Sequence, residues 1–133
     1  MNERLEREIS KLREGGQRAA IFETGGRQFV LYYDVPTEGG PLNLPVMTDV
    51  VVSVPHPYPP AMIDGAGLPL YSPLLPRVRG GQNNQGVIEL DGRQWQLASY
   101  HPHNGGGGPV WNPTVHGFHT YLDNLLAWLA RLS

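Results

Sequence analysis

The chain has 133 residues, enough for a single domain with one hydrophobic core. Its formal net charge of −2 and its scattered basic residues supply no electrostatic attraction for nucleic acid, and no apolar run reaches the length of a membrane span. Because the sequence contains no cysteine, disulfide bonds, thiolate zinc sites and thioester chemistry are excluded on this chain as written.

The first half of the sequence predicts a helix followed by three strands. Residues 2–14 place apolar side chains on one face, and Arg4 and Glu8 can pair one turn apart. Gly25-Gly26 is typical of a tight hairpin turn between two strands. The predicted strands cover residues 18–24, 27–35 and 47–54.

The second half predicts a loop, a short hairpin and a helix. Seven prolines within residues 55–86 remove backbone donors, so regular structure is not expected there. Asp91-Gly92 predicts the turn of a hairpin, and Asn112-Pro113-Thr114 offers caps for the last helix. The apolar stripe predicted for that helix is Val115, Phe118, Leu122, Leu125, Leu126, Leu129 and Leu132.

Strands grouped in the middle and helices kept at the two ends are typical of an α+β layer fold. The sequence shows no internal repeat and no composition boundary. We therefore predict one domain over residues 1–133, located in the cytoplasm by default.

The motifs of the second half stand in an order known from one enzyme superfamily. Residues 55–60 (PHPYPP) follow the third predicted strand, residues 101–104 (HPHN) come later, and residues 111–113 (WNP) precede the last helix. In this order they resemble the ubiquitin-conjugating enzymes, and most closely a divergent bacterial branch found in ubiquitin-like conjugation (defence) operons. The resemblance covers the chain from about residue 18 onwards.

The resemblance implies a fold and partners. The fold would be UBC-like or RWD-like: an N-terminal helix, a four-stranded antiparallel meander, a long proline-rich loop and a C-terminal helix. The partners would be a ubiquitin-like protein and its activating enzyme, with neither nucleic acid nor membrane involved and a homodimer left open. Tyr58, Pro59, Pro60, Trp111 and Pro113 would form the binding surface.

The departure from the family concerns the catalytic residue. The family carries a cysteine about eight residues before the tryptophan of Trp-x-Pro, and His103 stands at that position here. Imidazole can be acylated, but an acyl-imidazole hydrolyses readily and is a poor carrier. We therefore predict a non-catalytic, conjugating-enzyme-like binding protein that needs no cofactor.

One alternative is an isolated structural or interaction module unrelated to ubiquitin chemistry, and two catalytic alternatives also stay open at this point. One is a conjugating enzyme whose catalytic cysteine has been replaced, with Ala98 and Ser99 as the nearest small residues. The other is an active transferase or hydrolase that uses His101 and His103, with or without zinc. In either case Asn104 would belong to the active-site-like loop, because the family's asparagine stabilises an oxyanion.

The histidines also form the best metal-binding pattern in the sequence. His101 and His103 would share one face of a strand, and His116 and His119 lie three residues apart near the last helix, with Asp123 beyond them. The simpler interpretation is a solvated helix face with loop histidines bonded to the backbone, and we favour it because the pattern lacks a recognised zinc signature. The four glycines at positions 105–108 are best explained as a linker.

Overall fold

The secondary structure consists of helices at both ends of the chain with strands between them. The computed structural model describes residues 3–38, 45–78, 86–98, 100, 102–103 and 110–132. The elements found within this described part are α1 (Glu3–Glu14), β1 (Ala19–Thr24), β2 (Arg27–Pro36), β3 (Met47–Ser53), β4 (Ala66–Pro69), a 3-10 helix (Leu75–Arg77), β5 (Val87–Leu90), β6 (Arg93–Ala98) and α2 (Phe118–Leu132). The hairpin turns predicted at Gly25-Gly26 and Asp91-Gly92 are both confirmed.

The strands form one antiparallel sheet of six strands rather than a four-stranded meander. Their order is β1-β2-β3-β4-β6-β5, so the β5–β6 hairpin joins the sheet through β6 beside β4. The four-stranded, UBC-like or RWD-like fold predicted above is therefore wrong. The prediction failed because it treated the second hairpin as separate from the meander.

Strand β4 was missed because its sequence is a poor strand former. It lies within residues 55–86, which were predicted to lack regular structure, and it contains a glycine and a proline in only four residues. Pairing on both sides provides the stabilisation that its propensity lacks, since β3 lies on one side and β6 on the other. The prediction that residues 55–86 lack regular structure was therefore wrong at β4.

The sheet is buried on both faces, because it curls. Successive residues of β2 alternate between two separate clusters: Val30 and Tyr32 face the helices, whereas Phe29 and Leu31 face the inside of the curl. The edge strands β1 and β5 contact each other and so nearly close the curl. Trp95 is fully buried there and donates its indole N–H to the Leu90 carbonyl oxygen at 3.1 Å.

Helix α2 starts later than its sequence periodicity predicted. It begins at Phe118, and Val115 lies in a preceding turn with 57% of its side chain exposed, so its assignment to the buried stripe is wrong. Thr120 caps the helix, because its hydroxyl accepts the Gly117 N–H at 3.0 Å. Asn112 instead stabilises the preceding turn.

Neither α1 nor α2 combines the length and apolarity that a helix needs to cross a membrane, and the described part contains no other candidate.

β4 packs so closely against its neighbours that there is no room for a side chain at Gly67. A Cβ atom added at Gly67 would lie 2.6 Å from Val51 Cγ1 and 3.0 Å from Leu97 Cδ2. We expect Gly67→Ala to lower the free energy of unfolding by about 1–3 kcal/mol, since both neighbours lie inside the sheet. Urea denaturation followed by circular dichroism measures this change.

Gly15→Ala is the matched control for Gly67→Ala. A Cβ atom at Gly15 would meet only backbone oxygens at 3.5 Å or more, which is ordinary contact. Its free energy of unfolding should stay within about 1 kcal/mol of the parent chain. Equal stability of the two variants would contradict the packing described for β4.

Candidate binding site around Trp111

A buried carboxylate holds together the segments that form the candidate site. Glu8 of α1 is only 3% exposed, and its Oε1 accepts the Tyr58 hydroxyl at 2.6 Å and the Phe118 N–H at 2.9 Å. Arg4 donates to Oε2 at 2.7 Å and so balances the buried charge. A side chain at Gly117 would overlap this carboxylate, so the glycine leaves the space that Glu8 fills. The predicted Arg4–Glu8 pair is confirmed.

Tyr58 joins the proline-rich segment to the start of α2. Its ring centre lies 5.3 Å from that of Phe118 and 6.4 Å from that of Trp111, in tilted arrangements that aromatic pairs favour. Burial, more than the nearby Glu8, raises the pKa of the Tyr58 hydroxyl well above its ordinary value. Tyr58 therefore stays a neutral donor that holds its loop against the Glu8 carboxylate.

The residues predicted to form a binding surface are brought together. Trp111 donates its indole N–H to the Pro59 carbonyl oxygen at 3.1 Å, which ties the Trp-x-Pro segment to the proline-rich loop. Pro60 is exposed, while Pro59 and Pro113 are half-buried. The motifs separated by some fifty residues in sequence thus meet at one place.

Two histidines pack against Trp111. The ring centre of His103 lies 5.2 Å from that of Trp111, edge to face, and 4.8 Å from that of His116. His103 is only 7% exposed. The Asn112 backbone N–H donates to His116 Nδ1 at 2.9 Å, which assigns the proton of a neutral His116 to Nε2. These imidazoles are therefore packed as members of an aromatic cluster.

The surroundings of both helix-proximal histidines oppose their protonation. Desolvation lowers the pKa of His116, and the neighbouring His103 lowers it further. Desolvation is also the largest cause of the lowered pKa of His119, where Lys11 and Arg4 add to the shift and Glu8 opposes it. We conclude that both imidazoles are neutral at pH 7.

The metal hypothesis receives no support from the part of the chain that the structure describes. That part contains no group of three or more histidine, aspartate or glutamate residues placed to hold one ion. The rings of His103 and His116 face each other, whereas the charges that act on His119 come from α1. Of the predicted ligands, Asp123 lies on α2 within the described part, whereas His101 lies outside it. Asn104 of the predicted active-site-like loop, Ser99 and the glycines 105–108 also lie outside the described residues.

Two features of this site were not predicted from the sequence. The first is the burial of Glu8, for which only a pair with Arg4 was predicted. The second is the exposure of two valines close to Trp111 in sequence: Val110 is 84% exposed and Val115 is 57% exposed. The low polarity of the segment from Val110 to Val115 is the one sequence signal that could have indicated an exposed apolar surface.

Comparison of the chain with models of known protein families, with curated proteins and with solved structures gave no match. The meaning of the site therefore depends on its own residues and geometry. Trp111 contacts the proline-rich loop and the two histidines, and the buried Glu8, paired with Arg4, holds Tyr58 beside it.

Removing the charge of Glu8 tests whether this carboxylate holds the site together. Glu8→Gln would place an amide nitrogen or an uncharged oxygen opposite Arg4 and leave a part-buried guanidinium without its partner. We expect the free energy of unfolding to fall by about 3 kcal/mol in urea denaturation. Glu6→Gln, an exposed change on the same helix, should alter it by less than about 0.5 kcal/mol, and similar losses in both variants would contradict this role.

Acidification should destabilise the chain through its two shifted histidines. The folded-state pKa values of His116 and His119 lie below the ordinary value of 6.5, so the unfolded chain binds these protons first as the pH falls. The free energy of unfolding should therefore be at its plateau above pH 6.5 and fall as the pH decreases towards the folded-state values. Urea denaturation at about pH 7.5 and pH 5.5 measures this fall in the free energy of unfolding. Both pH values lie above the range in which most carboxylates titrate.

A double variant separates this effect from other titrations. His116→Asn with His119→Gln removes both imidazoles, and the asparagine oxygen can still accept the Asn112 N–H. The difference in stability between the two pH values should become smaller in the double variant. An unchanged difference would show that other groups cause it.

Proposed function

We propose that this chain is a non-catalytic binding domain of a bacterial ubiquitin-like modification pathway. It recognises the ubiquitin-like protein or the enzyme that activates it, in the cytoplasm. The order of the three motifs supports this proposal, as does the absence of cysteine from the whole sequence. The proposal depends on the motifs and the site and not on the sheet, whose strand number and order differ from those that the resemblance implied.

The enclosure of His103 is the observation that carries the proposal. A histidine that replaced the catalytic cysteine would have to attack a carbonyl carbon, so its ring nitrogen would need an open approach. Here the ring is 7% exposed and lies against Trp111 and His116. This geometry favours a structural role for His103 over covalent transfer.

The surface above His103 has the composition of a protein interface. Val110 and Val115 stand on either side of Trp111 in sequence and are exposed, the indole is half-buried, and the carbonyl oxygen of Pro59 accepts its N–H. Aromatic residues at the centre of an apolar patch are the usual anchors of binding energy between proteins. The hydrogen bond from Trp111 to Pro59 fixes the anchor in advance, which lowers the entropy cost of binding.

Charged substitutions on this surface test the proposal. The full-length chain is immobilised, and the purified ubiquitin-like protein and activating enzyme encoded beside it are applied in turn, with binding measured by surface plasmon resonance. We expect one of them to bind, and Val110→Asp or Val115→Asp to weaken binding by about tenfold or more, because a carboxylate would be desolvated in an apolar interface.

Val46→Asp is the control for the two surface variants. Val46 is also exposed, at 65%, but it precedes β3 at the opposite end from the proline-rich loop. Binding by this variant should match that of the parent chain. If neither protein binds, or if no such proteins are encoded near the chain, the proposal is wrong.

A covalent assay separates binding from transfer. The chain is incubated with the activating enzyme, ATP and the ubiquitin-like protein, and its mass is measured by intact mass spectrometry. We expect no covalent adduct, since no sulfur is present to form a thioester. An adduct that hydroxylamine releases, and that disappears in His103→Gln, would show that the chain is a transferase.

A further inference from the structure

A second site lies beside the proline-rich loop, and neither Val110 nor Val115 lines it. It is an open cavity of about 510 Å³ between the β1–β2 turn and the segment that follows β3. This volume falls in the range of sites that hold small ligands. Its polar walls come from Arg27, Ser53 and His56, and its apolar walls include Pro55, Pro57 and Tyr58.

The charges around this cavity favour an anion. Arg27 and His56 line it, and none of the lining residues is acidic. Arg27 donates to the Ser53 hydroxyl at 3.1 Å and forms no ion pair with any carboxylate in the described part of the chain. The nearest buried acid, Glu8 beneath Tyr58, is already balanced by Arg4. The Arg27 guanidinium carbon also lies 5.0 Å from the centre of the Phe29 ring. An incoming anion would thus meet a guanidinium that packs on an aromatic ring and forms no ion pair with the described carboxylates.

The donor pattern favours a carboxylate over a phosphate. A guanidinium presents two parallel N–H groups that match the two oxygens of one carboxylate. Phosphate sites usually add several backbone N–H groups. Three of the nine lining residues cannot supply one, because Pro55 and Pro57 have no N–H and the Val54 N–H already donates to the Gln28 carbonyl oxygen at 2.9 Å. One guanidinium, one hydroxyl and one imidazole suit a singly charged ligand.

The apolar walls indicate what the carboxylate is attached to. Val54, the proline rings and one side of the Tyr58 ring surround the polar corner. Such a wall suits a small aliphatic group next to the charge, as in a short-chain carboxylic acid or in the last residues of a polypeptide.

We propose that this cavity binds a carboxylate carried on a small apolar group, with Arg27 as its charged anchor and Ser53 and His56 as further donors. The carboxylate comes either from a free small acid or from the carboxyl terminus of a polypeptide. This site is independent of the function proposed above, because its test uses small probes and neither the ubiquitin-like protein nor the activating enzyme.

The test is a titration of the ¹⁵N-labelled full chain observed by two-dimensional NMR. The probes are propionate, acetyl-Ala-Ala-Ala with a free carboxylate, the same peptide as its carboxamide, and inorganic phosphate. We expect a free carboxylate to shift the signals of Arg27, Gln28 and Val54 with a dissociation constant on the order of 1 mM. The carboxamide should cause no such shifts.

Variants of Arg27 identify the anchor. Arg27→Gln should raise the dissociation constant by about tenfold, and Arg27→Lys should give an intermediate value because it keeps the charge without the paired donors. Arg7→Gln removes the same charge from the exposed face of α1 and should change binding by less than about twofold, since solvent and salt screen a distant charge. Unshifted signals elsewhere in each spectrum confirm that the variant is folded.

The probes also distinguish the two sources of the carboxylate. Tighter binding of the peptide acid than of propionate supports a polypeptide terminus, and equal binding supports a free small acid. Preference for phosphate, binding of the carboxamide at equal strength, or the absence of shifts with all four probes would overturn the proposal. An equal rise of the dissociation constant in Arg27→Gln and Arg7→Gln would also overturn it. That result would show that the probe is attracted by the net charge of the chain and not by Arg27.

Discussion

The Glu8 carboxylate is the constraint on which the rest of the site depends. It is buried, and three groups far apart in sequence donate to it: the Arg4 guanidinium, the Tyr58 hydroxyl and the Phe118 N–H. The last of these lies at the start of α2, where the helix dipole also favours a negative charge. One side chain therefore fixes α1, the proline-rich loop and the start of α2 relative to one another. Gly117 makes this possible because it has no Cβ atom.

Tyr58 transmits this constraint to two different surfaces. Its ring lies near that of Trp111, and the residue also lines the cavity that contains Arg27. The surface around Trp111 has the character proposed above for a protein interface, whereas the cavity combines proline walls with a guanidinium that forms no ion pair within the described residues and suits a small anion. The two candidate sites thus share a support but differ in chemistry, so each can be altered without removing the other.

The sequence predicts those parts of the fold that depend on residues close together along the chain, and it does not predict those that depend on distant residues. The α1 helix, both hairpin turns and the Arg4–Glu8 pair follow from spacing within a few residues, and all are present. The six-stranded sheet does not follow, because β4 is short and is stabilised only by neighbours distant in sequence. Burial of Glu8 was equally hidden, since two of its donors lie 50 and 110 residues away along the chain. Periodicity also misplaced Val115, because the apolar spacing extends to residues that precede Phe118, where the helix begins.

His103 and His116 make chemical sense as aromatic packing groups. A neutral imidazole is a flat, partly apolar ring, so it can pack edge to face on an indole as a small aromatic residue would. Desolvation is the larger cause of the lowered pKa of His116, and the His103 ring, whose centre lies 4.8 Å away, lowers it further. Acyl transfer through imidazole passes through a positively charged ring, which these enclosed surroundings disfavour. The same packing holds Trp111 in place, and such pre-organisation would lower the entropy cost of binding in the function proposed above.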